Sequence, residues 1–382
     1  MIYSIDFETR SKIDLSDRGL DIYANDPSTE ALCIAFGTAP DNVIVSKANS
    51  KVLTSLLLDH VEQGGKIQAW NAMFEYAIWN CVCVPKYGWP ELKLEQVIDS
   101  MAIAAANNIP QALDDAGAFI NSFHKKDPVG KKLIQKLCKP NRAGEFIQDF
   151  PALKDLMEYC RKDVMAEMSI VSKLRPLSSD EQKVWNLTQK INIRGVPVDP
   201  KELQNAVLAV QKAQAELDQE TIKLTGCKPS ERAKLLAWLN ARGANLEDLT
   251  ADTVTKMLQR SNLHPDVKRA LELRKEGSQT SVAKYAKMLE IQNNGKIRNT
   301  LVYHGASTGR WASRGGLNLQ NIARPSLDGV ELEAAIGSIF GSGVGTMSGL
   351  SSCVRSAIKA PEGQTFVDVD FSSIENRVGV WL

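Results

Sequence analysis

Ile2-Tyr3-Ser4-Ile5-Asp6-Phe7-Glu8 stands at the start of the chain, and its reading decides the fold class. Ile2 to Phe7 alternates as a β-strand. Side chains two apart on a strand project from the same face, so Asp6 and Glu8 form a carboxylate pair near the strand end. Such a pair is a platform for hard divalent cations, which prefer oxygen ligands. Taken alone it is more often a solvated strand terminus, and its meaning depends on what lies downstream.

Outward from this strand the pattern is α/β. Ala31–Gly37 reads as a buried strand and 43–46 as a short one. Residues 51–61 read as an apolar-periodic helix and 66–70 as a further strand. Asn71 stands at a helix N-cap position ahead of residues 72–82. Helices are expected at 98–107, 112–121, 130–138 and about 151–174, the last closed by Pro176. Another helix spans 180–193, before a turn with an extended segment at 194–199. Helices resume at 200–224, 230–240, 250–260 and 265–292. A strand at 297–303 precedes a Gly-rich loop, 305–316. The Gly/Ser-rich stretch 336–352 predicts a loop, and a final strand at 365–370 runs into a helix starting at Ser372 and reaching Leu382.

Composition excludes whole classes of function. The 382 residues, 43% hydrophobic and 24% charged, exclude a fibre, a coiled coil and a disordered tail, and predict two or three domains. The first residues lack the basic flank and apolar core of a secretory leader, and no stretch approaches the ~20 apolar residues of a membrane span. Seven scattered cysteines predict reduced thiols in a cytosolic compartment. With only four histidines, any metal must be held by carboxylates. The net charge of +1 is a sum of opposites: −5 over residues 1–182, +10 over 183–324 and −4 over 325–382. A +10 segment predicts a nucleic-acid partner.

Two further segments give the first carboxylate pair its weight. Asn71-Ala72-Met73-Phe74-Glu75 places Asn71 and Glu75 at i and i+4 beside a strand end. Tyr159-Cys160-Arg161-Lys162-Asp163 places Tyr159 and Asp163 on one helix face. In order, the three segments resemble the Exo motifs of the 3′–5′ proofreading exonucleases with an RNase H-like fold. The resemblance implies that Asp6, Glu8, Glu75 and Asp163 ligate two Mg²⁺ ions, for which Mn²⁺ can substitute. Such a pair of ions activates a water and stabilises the leaving 3′ oxygen in phosphodiester hydrolysis. Tyr159 would orient the water and Asn71 would contact DNA. The departure from the family pattern is Glu75, one methylene longer than the usual Asp.

A second resemblance covers the remainder. Arg194-Gly195-Val196-Pro197-Val198-Asp199 is similar to the segment that opens the polymerase domain of family A DNA polymerases. Thr308-Gly309-Arg310-Trp311-Ala312-Ser313, with Asn318-Leu319-Gln320-Asn321-Ile322, resembles that family's primer–template element. Asp370-Phe371-Ser372-Ser373-Ile374-Glu375-Asn376-Arg377 resembles its motif A. The resemblance implies that Arg310, Asn318, Gln320 and Asn321 contact DNA and that Asp370 is a catalytic metal ligand. Glu375 would be the steric gate against a ribose 2′-OH, with Arg377 beside it at the nucleotide site. Asp368, on the same strand face as Asp370, is assigned to solvent.

Motifs B and C, which complete a polymerase site, would follow motif A and are absent from these residues. The expectation is a phage-type family A polymerase cut just after motif A. Its parts are an α/β exonuclease domain over 1–178, a basic, helical thumb-like region over 179–296 and a partial α+β palm over 297–382. It would act in replication, in the cytoplasm of a bacterial or phage-infected cell, on single-stranded 3′ ends and primer–template. A second polypeptide would supply the missing motifs, unless the chain is a shortened frame. The alternatives are a stand-alone nuclease with 183–382 as a DNA clamp, and a non-catalytic DNA-binding protein.

Overall fold

The computed structural model describes residues 1–122 and 130–381; Leu382, the end of the expected last helix, lies outside the described residues. The chain divides into two compact units. The first comprises 1–195 and 287–322, and the second 196–286 and 323–382.

The first unit is built on a mixed five-stranded sheet in the order β3-β2-β1-β4-β5. Its strands are β1 (Ile2–Arg10), β2 (Glu30–Gly37), β3 (Ile44–Ser46), β4 (Lys66–Ala69) and β5 (Val97–Asp99). β1 pairs antiparallel with β2 and parallel with β4, and β4 pairs parallel with β5. Around it run α1 (Leu15–Asn25), α2 (Lys51–Glu62), α3 (Met73–Ile78), α4 (Val84–Tyr87), α5 (Ser100–Ala106), α6 (Leu113–Phe119), α7 (Gly130–Leu137), α8 (Phe150–Val171) and α9 (Ser179–Arg194). One face of β1, with Ile5 and Phe7, enters the main core, where Trp79 and Trp89 meet edge-on at 4.6 Å. The opposite face packs on α8, through Cys33, Ala35, Cys160 and Val164.

The second unit is helical. It contains α10 (Pro200–Thr225), α11 (Arg232–Asn240), α12 (Ala251–Leu258) and α13 (Pro265–Glu276). α14 (Ala283–Ile291) passes from the residues of the second unit into those of the first, and α15 (Gly329–Ile336), α16 (Met347–Ser352) and α17 (Ile374–Trp381) complete the second. Asp199 caps α10 by accepting from the backbone of Lys201 and Glu202 at 2.8 and 3.1 Å, and Gly226 ends it in the left-handed conformation. Leu235, Leu239, Val254, Met257 and Leu271 form the core beneath these helices.

Several expected elements change. Residues 97–99 form a strand ahead of a helix that starts at Ser100, not at 98. The helix after Asn71 is interrupted by a π-helical turn, Trp79–Cys83, and its N-cap is Ala72, with Asn71 itself left-handed at φ 62°. The expected helix 265–292 breaks after Glu276, and the expected strand 297–303 splits into Lys296–Ile297 and Leu301–Val302, the latter paired with Ala312–Ser313. Within 336–352 two helical turns form, Gly337–Ser342 and Met347–Ser352, because Ile339, Phe340 and Leu350 are buried there in spite of the Gly/Ser composition, and 343–346 stays a loop. Residues 365–370 form no strand and are exposed, since a strand requires a ladder partner and none among the described residues supplies one. The unit boundary also differs from the expected breaks near 178 and 296. Both α9 and 287–322 belong with the sheet, and Trp185 of α9 is completely buried in the core of the first unit.

Candidate active site

Asp6 and Glu8 lie opposite Ala35 and Cys33 in the β1–β2 ladder, and a register shift follows Glu8. That bulge ends the regular alternation just where the carboxylates emerge. Asp6 is half-buried and Glu8 buried. The strand is tied to α8 at this point, as Cys160 Sγ donates to the Asp6 carbonyl at 3.3 Å.

α8 begins with Asp149, which accepts from the Ala152 amide at 2.9 Å. Its buried stripe runs through Leu156, Cys160, Val164 and Ile170. Beside it Tyr159, Asp163 and Glu167 follow one another at i+4, all buried. The phenol of Tyr159 is hydrogen-bonded to Asp163 and pushed far above its ordinary range. Burial is the largest cause, followed by the Asp163 charge and then those of Glu8 and Asp6. The same ring lies against Gly130, where a Cβ would stand 2.1 Å from Tyr159 Cε2.

Glu75 comes in from α3, buried, with Oε2 lacking a hydrogen-bond partner among the described residues. Burial raises its pKa well above the carboxylate range, and the Asp6 charge adds most among its neighbours, ahead of Glu167 and Asp99. Asp6 thus acts electrostatically on Glu75 from one segment and, with Glu8 and Asp163, on Tyr159 from another.

Sequence reasoning missed two buried acids there. Glu167 accepts from Ser100 Oγ at 2.5 Å, and burial, reinforced by Asp6 and Asp99, pushes its pKa up to about 8. Its one signal was the i+4 series from Tyr159 and Asp163. Asp99 caps α5 through Met101 and accepts the Asn71 amide at 3.2 Å, which holds Asn71 in place.

Carboxylates kept together at this cost in mutual repulsion suit a divalent cation in donor chemistry, as does the unpartnered Glu75 Oε2. The side chains as they stand do not converge on one point. Among the described residues no three His, Cys, Asp or Glu side chains are arranged to hold a metal ion. A mainly apolar cavity of about 730 Å³ opens beside Glu8, lined by Phe7, Ile13, Tyr23, Phe74 and Cys138.

The other predicted residues lie apart from this centre. Arg310, Gln320 and Asn321 are exposed in the first unit. Asn318 caps a short 3₁₀ turn by accepting from the Asn321 amide at 3.2 Å. Asp370, Glu375 and Arg377 are exposed in the second unit, where Arg377 Nε donates to the Ser372 carbonyl at 2.9 Å. No helix of the described residues is long and apolar enough to cross a membrane.

The +10 segment is divided by the fold. Residues 196–286, in the second unit, hold fourteen basic and twelve acidic side chains, a net +2. Residues 183–195 and 287–322, in the first, contribute +3 and +4. The excess therefore sits mainly in the unit that carries the carboxylates.

No family model matches the chain. It is similar to a protein named DNA polymerase from Bacillus phage SP02, 31% identical over 417 residues covering 99% of this chain and 61% of that protein. It is also similar to DNA polymerase I of Aquifex aeolicus (strain VF5), 26% identical over 241 residues covering 60% of this chain and 36% of that protein. Among solved structures it resembles the POL domain of Pol1 from M. smegmatis, in complex with DNA primer-template and dNTP. The TM-score is 0.50 at 16% identity, over 88% of this chain and 54% of that one, a likeness of fold. The chain spans less than two thirds of the length of each of these proteins.

Proposed function

We propose that this chain is part of a proofreading family A DNA polymerase, and that its first unit is an RNase H-like 3′–5′ exonuclease acting on DNA during replication in a bacterial or phage-infected cell. One observation supports the reading: α8, which carries Tyr159 and Asp163, packs on the sheet beside Asp6 and Glu8, and Glu75 on α3 feels the Asp6 charge. The similarity to phage and bacterial DNA polymerases supports it.

Asp6, Glu8, Glu75 and Asp163 would hold Mg²⁺ or Mn²⁺, which supplies an activated water and charge stabilisation at the leaving 3′ oxygen. The protein's own contributions are separate. The apolar cavity beside Glu8 takes the terminal nucleoside and keeps bulk water from it. Tyr159, neutral throughout the working pH range, donates to Asp163 and fixes which carboxylate oxygens face the scissile phosphate. Glu75, on the short helix α3 that packs on β1, is one methylene longer than Asp and lies within the influence of the Asp6 charge.

Residues 323–381, with Asp370, Glu375 and Arg377, are read as part of a polymerase palm. Synthesis would draw on motifs B and C from outside these residues, in a longer form of the same chain or in a second polypeptide. The exposure of 365–381 supports this, because Phe366, Val369, Phe371 and Trp381 present apolar surface that a complete palm would cover.

The test is hydrolysis of 5′-labelled single-stranded DNA with Mg²⁺. Mononucleotides should be released from the 3′ end, and Asp6→Ala or Asp163→Ala should lower the rate by orders of magnitude without unfolding the protein. Equal activity in wild type and both variants, or none in any, sinks the exonuclease reading.

A further inference from the structure

We propose that Arg314 is a phosphate-binding residue of the nuclease site, holding the backbone of a single DNA strand just upstream of the nucleotide beside Glu8; this rests on the exonuclease reading. Arg314 lies between the two segments of the element expected to contact primer–template, yet its side chain reaches the nuclease motif. Its Nη1 donates to Asn71 Oδ1 at 3.1 Å. Asn71 is an anchored partner, with its left-handed backbone held by the bond from its amide to Asp99 Oδ1. A guanidinium carries five N–H donors, and one engages Asn71, so a fork remains for a phosphate.

The surroundings favour an anion. Arg314, Arg18, Arg298 and Phe74 line a cavity of about 310 Å³ whose one acidic lining residue is Asp21. Asp21 is engaged by Arg298, Nη1 to Oδ2 at 3.0 Å. The remaining excess belongs to Arg18 and Arg314, both exposed. Phe74 lines this cavity and also the 730 Å³ cavity beside Glu8, as do Leu15 and Ser16. An apolar space for a nucleoside thus adjoins a positive space for its 5′ phosphodiester, with an aromatic ring between them. A strand bound in both passes Phe74, on which a base can stack, and places a phosphate at Arg314.

The experiment is equilibrium binding of fluorescent oligothymidylate to the full chain in EDTA over a series of salt concentrations, beside steady-state hydrolysis with Mg²⁺. Arg314→Ala should weaken binding about tenfold or more, the worth of a charged hydrogen bond. It should also reduce the salt slope by about 0.7, one phosphate contact on a single strand, and raise KM by a similar factor. Arg314→Lys should keep the slope and recover part of the affinity. Unchanged affinity and slope in Arg314→Ala, with wild-type hydrolysis intact and dependent on Asp6, overturns this inference alone. Loss of binding in Arg314→Ala, with no Asp6-dependent hydrolysis by wild type, leaves the phosphate site standing and removes the exonuclease reading. Arg314 is exposed, so a thermal melt should match wild type, and a large drop would assign the residue to stability and overturn the proposal.

Discussion

The indole Nε1 of Trp185 donates to Asp99 Oδ2 at 3.2 Å, while Oδ1 of the same carboxylate accepts from the amides of Asn71 and Met101. One buried acid therefore joins α9 to the end of β5, caps α5 and fixes Asn71. The bond explains why α9 belongs with the sheet. Burial raises the pKa of Asp99, and the Trp185 bond is the largest influence opposing that rise.

Trp185→Phe keeps most of the buried surface and removes this donor. Leaving a buried carboxylate oxygen unsatisfied costs about 1–3 kcal/mol. The urea midpoint should fall accordingly with the slope unchanged. A fragment ending at residue 178 would lose the whole indole and should be less stable still. A midpoint for Trp185→Phe within error of wild type would show that the hydrogen bond adds nothing to folding.

Gly130→Ala sets a methyl against the Tyr159 ring, whose nearest carbon would be 2.1 Å from the new Cβ. The phenol must shift off Asp163 or α7 must move, and overpacking of this kind costs about 1–3 kcal/mol. The expected result is a lower melting temperature together with a reduced exonuclease rate. Wild-type values for both would mean that the contact is easily relieved and does not position Tyr159.

Glu167 gives the site a dependence on pH. Its pKa rises from the ordinary 4.5 to about 8 on folding, so the folded state holds a proton that the unfolded chain releases. The stability this contributes is complete below about pH 4.5 and is lost as pH rises through about 8. The groups facing Glu167 are Ser100 and Gln68, which stabilise its charged form, and Asp6, Asp99 and Glu75, which oppose it. Each pKa unit is worth about 1.4 kcal/mol. In EDTA the melting temperature should therefore decline between about pH 5 and 8 and decline less in Glu167→Gln. Parallel pH profiles for the two proteins would locate the titration elsewhere.

Much of this was legible in the sequence, for identifiable reasons. β1 and α8 announce themselves by period, and their acids fall at spacings of two and four that geometry converts into shared faces. Glu167 continues that spacing but looks like any solvated glutamate until Ser100, 67 positions away, is seen against it. The expected boundary at 178 separated α9 from the sheet, whereas the burial of Trp185 is a tertiary fact that no local stretch of sequence shows. Residues 336–352 misled in the same way: Gly and Ser lower helix propensity, and packing of Ile339, Phe340 and Leu350 overrides it. The 365–370 strand failed for the converse reason, since period alone cannot supply a neighbour.

Where the positive charge lies decides which surface should hold DNA. Segment 183–324 read as one basic footprint, and the fold divides it so that 196–286 retains only +2. Many cations there are also paired: Arg269 with Glu220 at 2.7 Å, Lys256 with Asp252 at 2.6 Å and Lys228 with Asp218 at 3.5 Å. Paired charges release few counterions when a phosphate approaches. Neutralising exposed Lys223 and Lys268 in the second unit should therefore change single-strand affinity little. Neutralising Arg310 and Arg314 in the first should reduce it more, with a salt slope shallower by up to about 1.4 for two contacts at 0.7 each. Salt titrations of the two double variants make the comparison directly. A larger loss from Lys223 and Lys268 would place the DNA surface on the helical unit, and the excess of charge in the first unit would then be incidental.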